Sequence, residues 1–359
     1  MDKSTLMRDK DEQKEFFEEC QDSSFEEQQT HIREHIIREL LTIFSVFHQA
    51  APLKVPKNAE ELFDKVVEAR DTDPSNTIPQ FINAQQTVEP SKASIKNFNK
   101  MNNALMKKLG YSLHVQQSGI PNAGPGLFLE GSAVAGTVIC MYPGIVYLKE
   151  YVVSGDTDGM FGPDDSGTYT MGRYDGSIFN GDCEPQWHPS PVSYGHLIRH
   201  PTGILPLTED HRGLPRVLGK PNVMSCPFNY PELDSGGSET QRSIFSRLKD
   251  APGEKPATTA NVDIEKYLDK GMIGKKFPKE FQAYIPNTYY KPPVLLSTQE
   301  AKESYTFGIA LIATENIKDE EIYLDYRYNP HLETPSWYKT IDEETAQRRW
   351  KDHHTYANQ

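Results

Sequence analysis

Three patterns in this sequence carry residue types that do chemistry. The first is a tyrosine beside an acid, Asp325-Tyr326, inside Ile317 to Pro330 (IKDEEIYLDYRYNP). A phenol held at the end of a strand can donate or accept a hydrogen bond in a cleft, although an aromatic in that position is more often an amphipathic packing residue. The second is glycine-rich: Gly124-Pro125-Gly126-Leu127-Phe128, followed by Ala135-Gly136-Thr137-Val138 and Tyr142-Pro143-Gly144. Such glycines let a ligand approach the backbone, but no helical pattern follows them, so the dinucleotide-binding reading fails. The third is His31-Ile32-Arg33-Glu34-His35, an H-x-x-E-H pattern that would set two histidines and a glutamate on one helix face, as in inverted zinc peptidases. Such a site needs a large surrounding domain that residues 1–110 do not supply, so the pattern reads as a solvated helix face. His196 and His200 share the same spacing, yet Pro191 and Pro201 argue against a helix there. No metal is expected at either pair. Cys20, Cys140, Cys183 and Cys226 lie far apart without a C-x-x-C pair, which excludes a legible disulfide scaffold or zinc cluster. Cys140 and Cys226 read as packing residues.

These residues need elements to hold them. Phe307, Ile309 and Leu311 alternate with Gly308, Ala310 and Ile312, the pattern of a strand buried on both faces. A charged turn is expected next, then a second short strand in which Ile322, Leu324 and Tyr326 alternate with Tyr323, Asp325 and Arg327. Upstream, Gln13 to Ala50 is helical in pattern, with a capping box at Ser24-Phe25-Glu26-Glu27 and a stripe of Ile32, Ile36, Leu40, Ile43, Phe44 and Phe47. Ala59 to Arg70 repeats the pattern, Asp71 to Pro90 reads as a connector, and Ser94 to Leu109 forms a third helix stopped by Gly110. From Tyr111 onward short β-type runs alternate with Gly and Pro, and Gly172-Arg173-Tyr174-Asp175-Gly176 reads as a hairpin turn. The expected domains are a helical region over residues 1–110, a β-rich domain over 111–328, and a tail over 329–359 whose Ile341 to Trp350 helix is a possible lid. Pro231 to Lys279 reads as a mostly flexible insertion.

Composition limits the function classes. The chain has 359 residues and an apolar fraction of 36%, enough for a proper core without staples. Its net charge of −13 argues against a nucleic-acid surface and favours cationic partners. The acidic start has no apolar leader, and no run of about 18 apolar residues occurs. The expectation is a soluble intracellular protein with reduced thiols and no membrane contact, in nucleus or cytoplasm alike.

Taken in order, G-x-G-L-F, G-T-V with Y-P-G, I-R-H (Ile198 to His200) with P-N-V (Pro221 to Val223), and E-E-I-Y-L-D-Y resemble the SET-domain protein lysine methyltransferases over about residues 111–328. The resemblance implies an α+β class: a β-rich SET fold of small twisted sheets with a C-terminal pseudoknot, preceded here by the helical region. It implies S-adenosyl-L-methionine as cofactor and a lysine-bearing protein or peptide as substrate, which the acidic balance makes a basic one. Carried over by motif, Tyr326 is the catalytic residue. Gly124, Gly126, Leu127, Phe128, Tyr142, Arg199, His200 and Tyr326 bind cofactor. Tyr326, Trp337 and Tyr338 line the lysine channel. Asp325 is expected to anchor the strand, because a carboxylate beside the lysine would hold its proton on. The family's N-H-S-C signature reads here Arg199-His200-Pro201, and Thr202 to Lys220 separates it from Pro221-Asn222. The competing reading is a non-catalytic SET fold that serves as an interaction module; a zinc peptidase at residues 31–35 is a remote third.

Overall fold

Helix α1 (Phe25–Ala50) begins where the sequence places a capping box: Ser24 accepts the Glu27 N–H through its hydroxyl while the Glu27 carboxylate accepts the Ser24 N–H. Its 3.6-residue period puts Ile36, Leu40, Ile43, Phe44 and Phe47 on one fully buried stripe. The computed structural model describes residues 24–53, 92–147, 149, 169–181, 190–201, 208–209, 215–216, 220–234, 262–269, 273–289 and 307–351. The expected helix at Ala59 to Arg70 and the connector after it lie outside the described residues. Helix α2 (Lys92–Leu109) buries Met101, Asn102 and Leu105, whereas Ile95, the first member of its expected stripe, is exposed. Gly110 follows with φ +88°, a conformation that stops the helix at no steric cost. The buried Asn102 amide then exchanges two hydrogen bonds with the Leu113 backbone, joining α2 to the first strand.

The β region comprises β1 (Tyr111–Gln117), β2 (Pro125–Ala133), β3 (Val138–Met141), β4 (Gly144–Tyr147), β5 (Thr170–Gly172), β6 (Ile178–Asn180), β7 (Thr208–Glu209), β8 (Pro215–Arg216), β9 (Val223–Asn229), β10 (Glu232–Asp234), β11 (Lys276–Pro278), β12 (Asn287–Tyr289), β13 (Phe307–Ala313) and β14 (Ile317–Glu321). Short helices α3 (Glu265–Leu268) and α4 (Glu343–Arg349) and two 3-10 turns, Gly195–Leu197 and Lys279–Tyr284, complete the described elements. The sheets are small: β1-β2-β14, β3-β13-β9, β12-β4-β6-β5, and the pairs β10-β11 and β7-β8. All pairs are antiparallel except β12 with β4 and β10 with β11, so the class is α+β. Strand β13 is central in its sheet and buried from Gly308 to Ala313, as its unbroken apolar run requires. The 172–176 hairpin is present, with Gly176 at φ +84° after the turn.

Two sequence expectations differ from the structure. The strand near Tyr326 ends where it was expected to begin: the charged Ile317–Glu321 run pairs with β2, and Ile322 to Tyr326 is not a ladder strand. Asp319 explains it. In a left-handed conformation (φ +48°) it makes a bulge and accepts the Gly131 N–H, so a sequence that reads as a turn is held in the sheet. The 231–279 insertion also differs at its ends. Tyr267, Ile273 and Phe277 are buried, and Phe277 and Phe281 meet the Phe44 ring edge-on with centroids 5.9 and 6.0 Å away. Residues 235–261 lie outside the described ones.

The α1 stripe and the β sheets therefore share one core. Phe44→Ala should lower the unfolding free energy by about 3–5 kcal/mol, the range for emptying an aromatic site in a packed core. Urea denaturation reads this, and an unchanged midpoint would mean that α1 is an appendage.

Candidate functional site

The site is built on a short stretch of backbone held from three directions. Ile322 N–H donates to the Leu127 carbonyl, Leu324 N–H donates to Arg199, and the Tyr323 carbonyl accepts from both Asn222 and Val223. Residues 323 and 324 thus run parallel to the chain at Arg199 on one side and at Val223 on the other. Asn222, 3% exposed, closes the arrangement with its side chain. Its Oδ1 accepts the Tyr323 N–H at 2.8 Å and its Nδ2 donates to the Glu321 carbonyl at 3.0 Å.

Glu321 secures the glycine segment. Its buried carboxylate accepts from the Ser118 hydroxyl, the Gly119 N–H (2.8 Å) and the Tyr323 hydroxyl (2.7 Å). A Cβ on Gly126 would overlap that carboxylate, so Gly126 makes room for Glu321. Gly124 (φ +76°) differs, because the atom nearest to its absent side chain is Arg199 Nη2 at 3.6 Å. Leu127 is fully buried in the core, and Phe128 sits in β2 opposite His114 and Glu321.

Tyr326 donates its hydroxyl to the Ile198 carbonyl at 2.8 Å. Burial pushes its pKa up to about 12, with the Arg199 charge pulling the other way, so the phenol keeps its proton at neutral pH. Its backbone N–H donates to His200 Nδ1 (3.3 Å), and His200 Nε2 hydrogen-bonds the Lys339 carbonyl at 2.9 Å. Because a carbonyl only accepts, Nε2 carries the proton and His200 is the neutral tautomer with Nδ1 as acceptor. The imidazole also stacks on Tyr338, centroids 4.4 Å apart. Around Tyr326 stand Tyr328 and Trp337, each edge-on with centroids 6.1 Å away. Trp337 is 48% exposed and Tyr338 only 8%, so the aromatic cluster opens to solvent on the tryptophan side. Asp325 accepts the Arg327 N–H, which supports the left-handed Arg327 (φ +54°), and lies 3.9 Å from His200 Nδ1. It shapes the turn after Leu324.

Arg199 donates its Nε–H to the Pro125 carbonyl at 2.7 Å, and its guanidinium lies over the Tyr169 ring. Tyr142 donates its hydroxyl to the Tyr169 carbonyl. The expected residues Gly124, Tyr142, Arg199, His200, Tyr326, Trp337 and Tyr338 are thus linked through shared neighbours. Tyr169 and Tyr328 were not singled out from sequence, and Asn222 and Glu321 entered only as members of the P-N-V and E-E-I-Y-L-D-Y motifs with no role of their own; the Tyr326-x-Tyr328 spacing is the signal that could have found Tyr328.

The zinc-peptidase pattern lies on α1, where His35 Nε2 bonds the Gly136 carbonyl at 2.7 Å. Among the described residues no group of three or more His, Cys, Asp or Glu could hold a metal ion. Cys140 and Cys226 are buried, and burial pushes the Cys226 pKa up to about 11, so it stays a thiol. No helix among the described residues is long and apolar enough to cross a membrane. No protein-family model and no curated protein matches the chain.

Burial lowers the His200 pKa below 6.5, so the neutral form is favoured in the fold. The stability it contributes is complete above pH 6.5 and is lost as pH falls towards the lower folded value. Unfolding free energy measured from pH 7.5 to 5.5 should fall more steeply in the wild type than in His200→Gln. Equal slopes would contradict a lowered His200 pKa.

Proposed function

We propose that the chain transfers a methyl group from S-adenosyl-L-methionine to a lysine side chain of a protein. The observation that carries this reading is the Tyr326 phenol, held protonated against the Ile198 carbonyl near Arg199 and flanked by Tyr328 and Trp337, against both of which Tyr338 packs. The motif order of a SET domain supports it. So does the segment at 322–324, bonded both to Arg199 and to Asn222–Val223, as a threaded closing segment would be.

The residues fit such a ligand at two points. Because the phenolic proton is committed to Ile198, the Tyr326 oxygen presents itself as an acceptor, which it shares with the neighbouring Arg199 side chain. The Arg199 guanidinium, which no carboxylate among the described residues pairs, offers donors to an acidic group. When bound, the cofactor supplies a methyl group on a sulfonium. The chain supplies position and environment: the Tyr326 hydroxyl and the Ile198 carbonyl are the oxygens that would face the polarised methyl, and the aromatic walls would exclude water. Exclusion of water lowers the lysine pKa, so the amine reaches the site neutral, while the ring faces accept its alkyl chain. Asp325 is tied to the Arg327 N–H and serves the turn, not proton removal.

One observation favours a second reading, a SET-like interaction module without catalysis. The bond from Arg199 Nε to Pro125 uses a carbonyl of the glycine segment and sets a cation against Tyr326. Titration calorimetry with S-adenosyl-L-methionine separates the readings: binding at micromolar concentration supports methyl transfer, and its absence leaves the module.

Tyr326→Phe keeps the ring packing and removes the oxygen. Radiolabelled methyl incorporation into a protein lysate should drop by roughly a hundredfold or more, while cofactor affinity falls by about tenfold or less, because the contact matters mainly in the transition state. Wild-type rates would remove Tyr326 from the mechanism. The net charge of −13 makes a basic, lysine-bearing segment the fitting substrate, and binding of such a peptide should weaken as salt rises. Salt-independent binding would exclude that substrate class.

A further inference from the structure

Helix α2 carries five lysines, Lys92, Lys96, Lys100, Lys107 and Lys108, and no acidic residue in its 18 positions. Over the whole chain the balance is reversed, 51 acidic residues against 38 basic ones, and α1 interleaves Glu34 and Glu39 with Arg33 and Arg38. The 3.6-residue period places Lys92, Lys96, Lys100 and Lys107 on one exposed face with Asn99 and Asn103 among them, opposite the buried Met101 and Leu105. None of the five lysines hydrogen-bonds or ion-pairs with a described residue. Local helix physics does not ask for this arrangement. Lys107 and Lys108 complement the negative end of the helix dipole, but Lys92 sits in the first turn, where the dipole opposes it and no acid stands. Lys92 with Lys96 and Lys96 with Lys100 are like-charge pairs four residues apart, which destabilise a helix. An opposite charge laid along the face removes both penalties.

We infer that this face of α2 binds the phosphate backbone of a nucleic-acid duplex. Each four-residue step rises about 6 Å, so the ridge from Lys92 to Lys107 runs about 22 Å along a rod that carries one charge per about 1.7 Å of axis. Lysine ammonium groups with asparagine amides between them are phosphate-contacting types, which hold a duplex without reading its bases. The face bears no aromatic ring on which unpaired bases could stack, which favours a duplex over a single strand. Lysine is depleted from protein–protein interfaces, and the ridge lacks the aromatic anchor that such interfaces centre on. A membrane surface fits no better, because the apolar face that would insert, Phe98, Met101 and Leu105, packs on the core. The net charge of −13 is a sum over the chain, and charges more than about 8 Å from the phosphates are largely screened at physiological salt. Binding through α2 does not require methyl transfer at Tyr326.

Fluorescence anisotropy of the full chain with short labelled duplexes of mixed sequence, one of DNA and one of RNA, tests this. Binding of either duplex supports the assignment and identifies its source. For DNA the slope of log affinity on log salt should be about −3.6 for four contacts, a loss of about a hundredfold between roughly 50 and 200 mM salt. The combined variant Lys92→Gln, Lys96→Gln, Lys100→Gln and Lys107→Gln changes only exposed positions to another good helix former, so its thermal melt should be unchanged. Its affinity should fall by about a hundredfold or more at the lowest salt. Lys96→Gln alone should reduce the slope by about 1. No binding by the wild type at roughly 50 mM salt, or unchanged affinity and slope in the combined variant, would overturn the inference. Polyglutamate, or vesicles containing phosphatidylserine, binding at least as tightly as the duplexes would overturn it too, and would assign the face to an acidic protein or to a membrane.

Discussion

The rest of the site depends on the Asn222 amide. It is buried and uses both of its ends, accepting from Tyr323 and donating to the Glu321 carbonyl, while its own backbone N–H bonds the Tyr323 carbonyl and its carbonyl accepts the Thr314 N–H. A buried polar network satisfied at every member specifies one arrangement, because any slip leaves groups without partners at about 1–3 kcal/mol each. Asn222 therefore determines which residues flank the chain at 322–324, and so where Tyr326 emerges. Glu321 carries the same constraint outward. One carboxylate ties β14 to Ser118 and Gly119 and occupies the space that Gly126 leaves, so the glycine segment and the tyrosine are set by neighbouring residues of one run.

Around this polar centre the packing is ordinary and extensive. The α1 stripe, β13 and the aromatic group of Phe277, Phe281 and Tyr284 form one core, so the scaffold under the site is rigid. The outer wall is built differently. Tyr328, Trp337 and Tyr338 come from an irregular segment, tied to the centre through the His200 bond to Lys339. A rigid floor and a tethered aromatic wall suit a site that must position a flexible side chain and exclude water around it.

Much of the framework was legible because it follows from local rules. The capping box at Ser24, the buried run of β13 and the Asp175-Gly176 hairpin each follow from side chains within a few residues. The positions that escaped depend on contacts distant in sequence. Asp319 holds a charged run in a sheet through the Gly131 amide, 188 residues away, and nothing in IKDEE announces it. Phe277 lies in a polar stretch and is buried against Phe44 of α1 and Tyr230 of the β region. Gly126 illustrates a further limit: composition marks a glycine where backbone must be approached closely, but does not say whether a ligand or Glu321 does so. Tyr326, Trp337 and Tyr338 were legible as aromatics, whereas Tyr169 enters through its contacts with Arg199 and Tyr142.

The central claim is that the chain at 322–324 is locked between Arg199 and Asn222–Val223 and carries Tyr326 as a fixed group. Native-state hydrogen exchange tests it most directly. The Tyr323 and Leu324 amides should exchange only through global unfolding, with the same free energy as the amides of β13. If they exchange as readily as those of exposed residues 331–333, the segment opens locally, and a site built on its rigidity is contradicted.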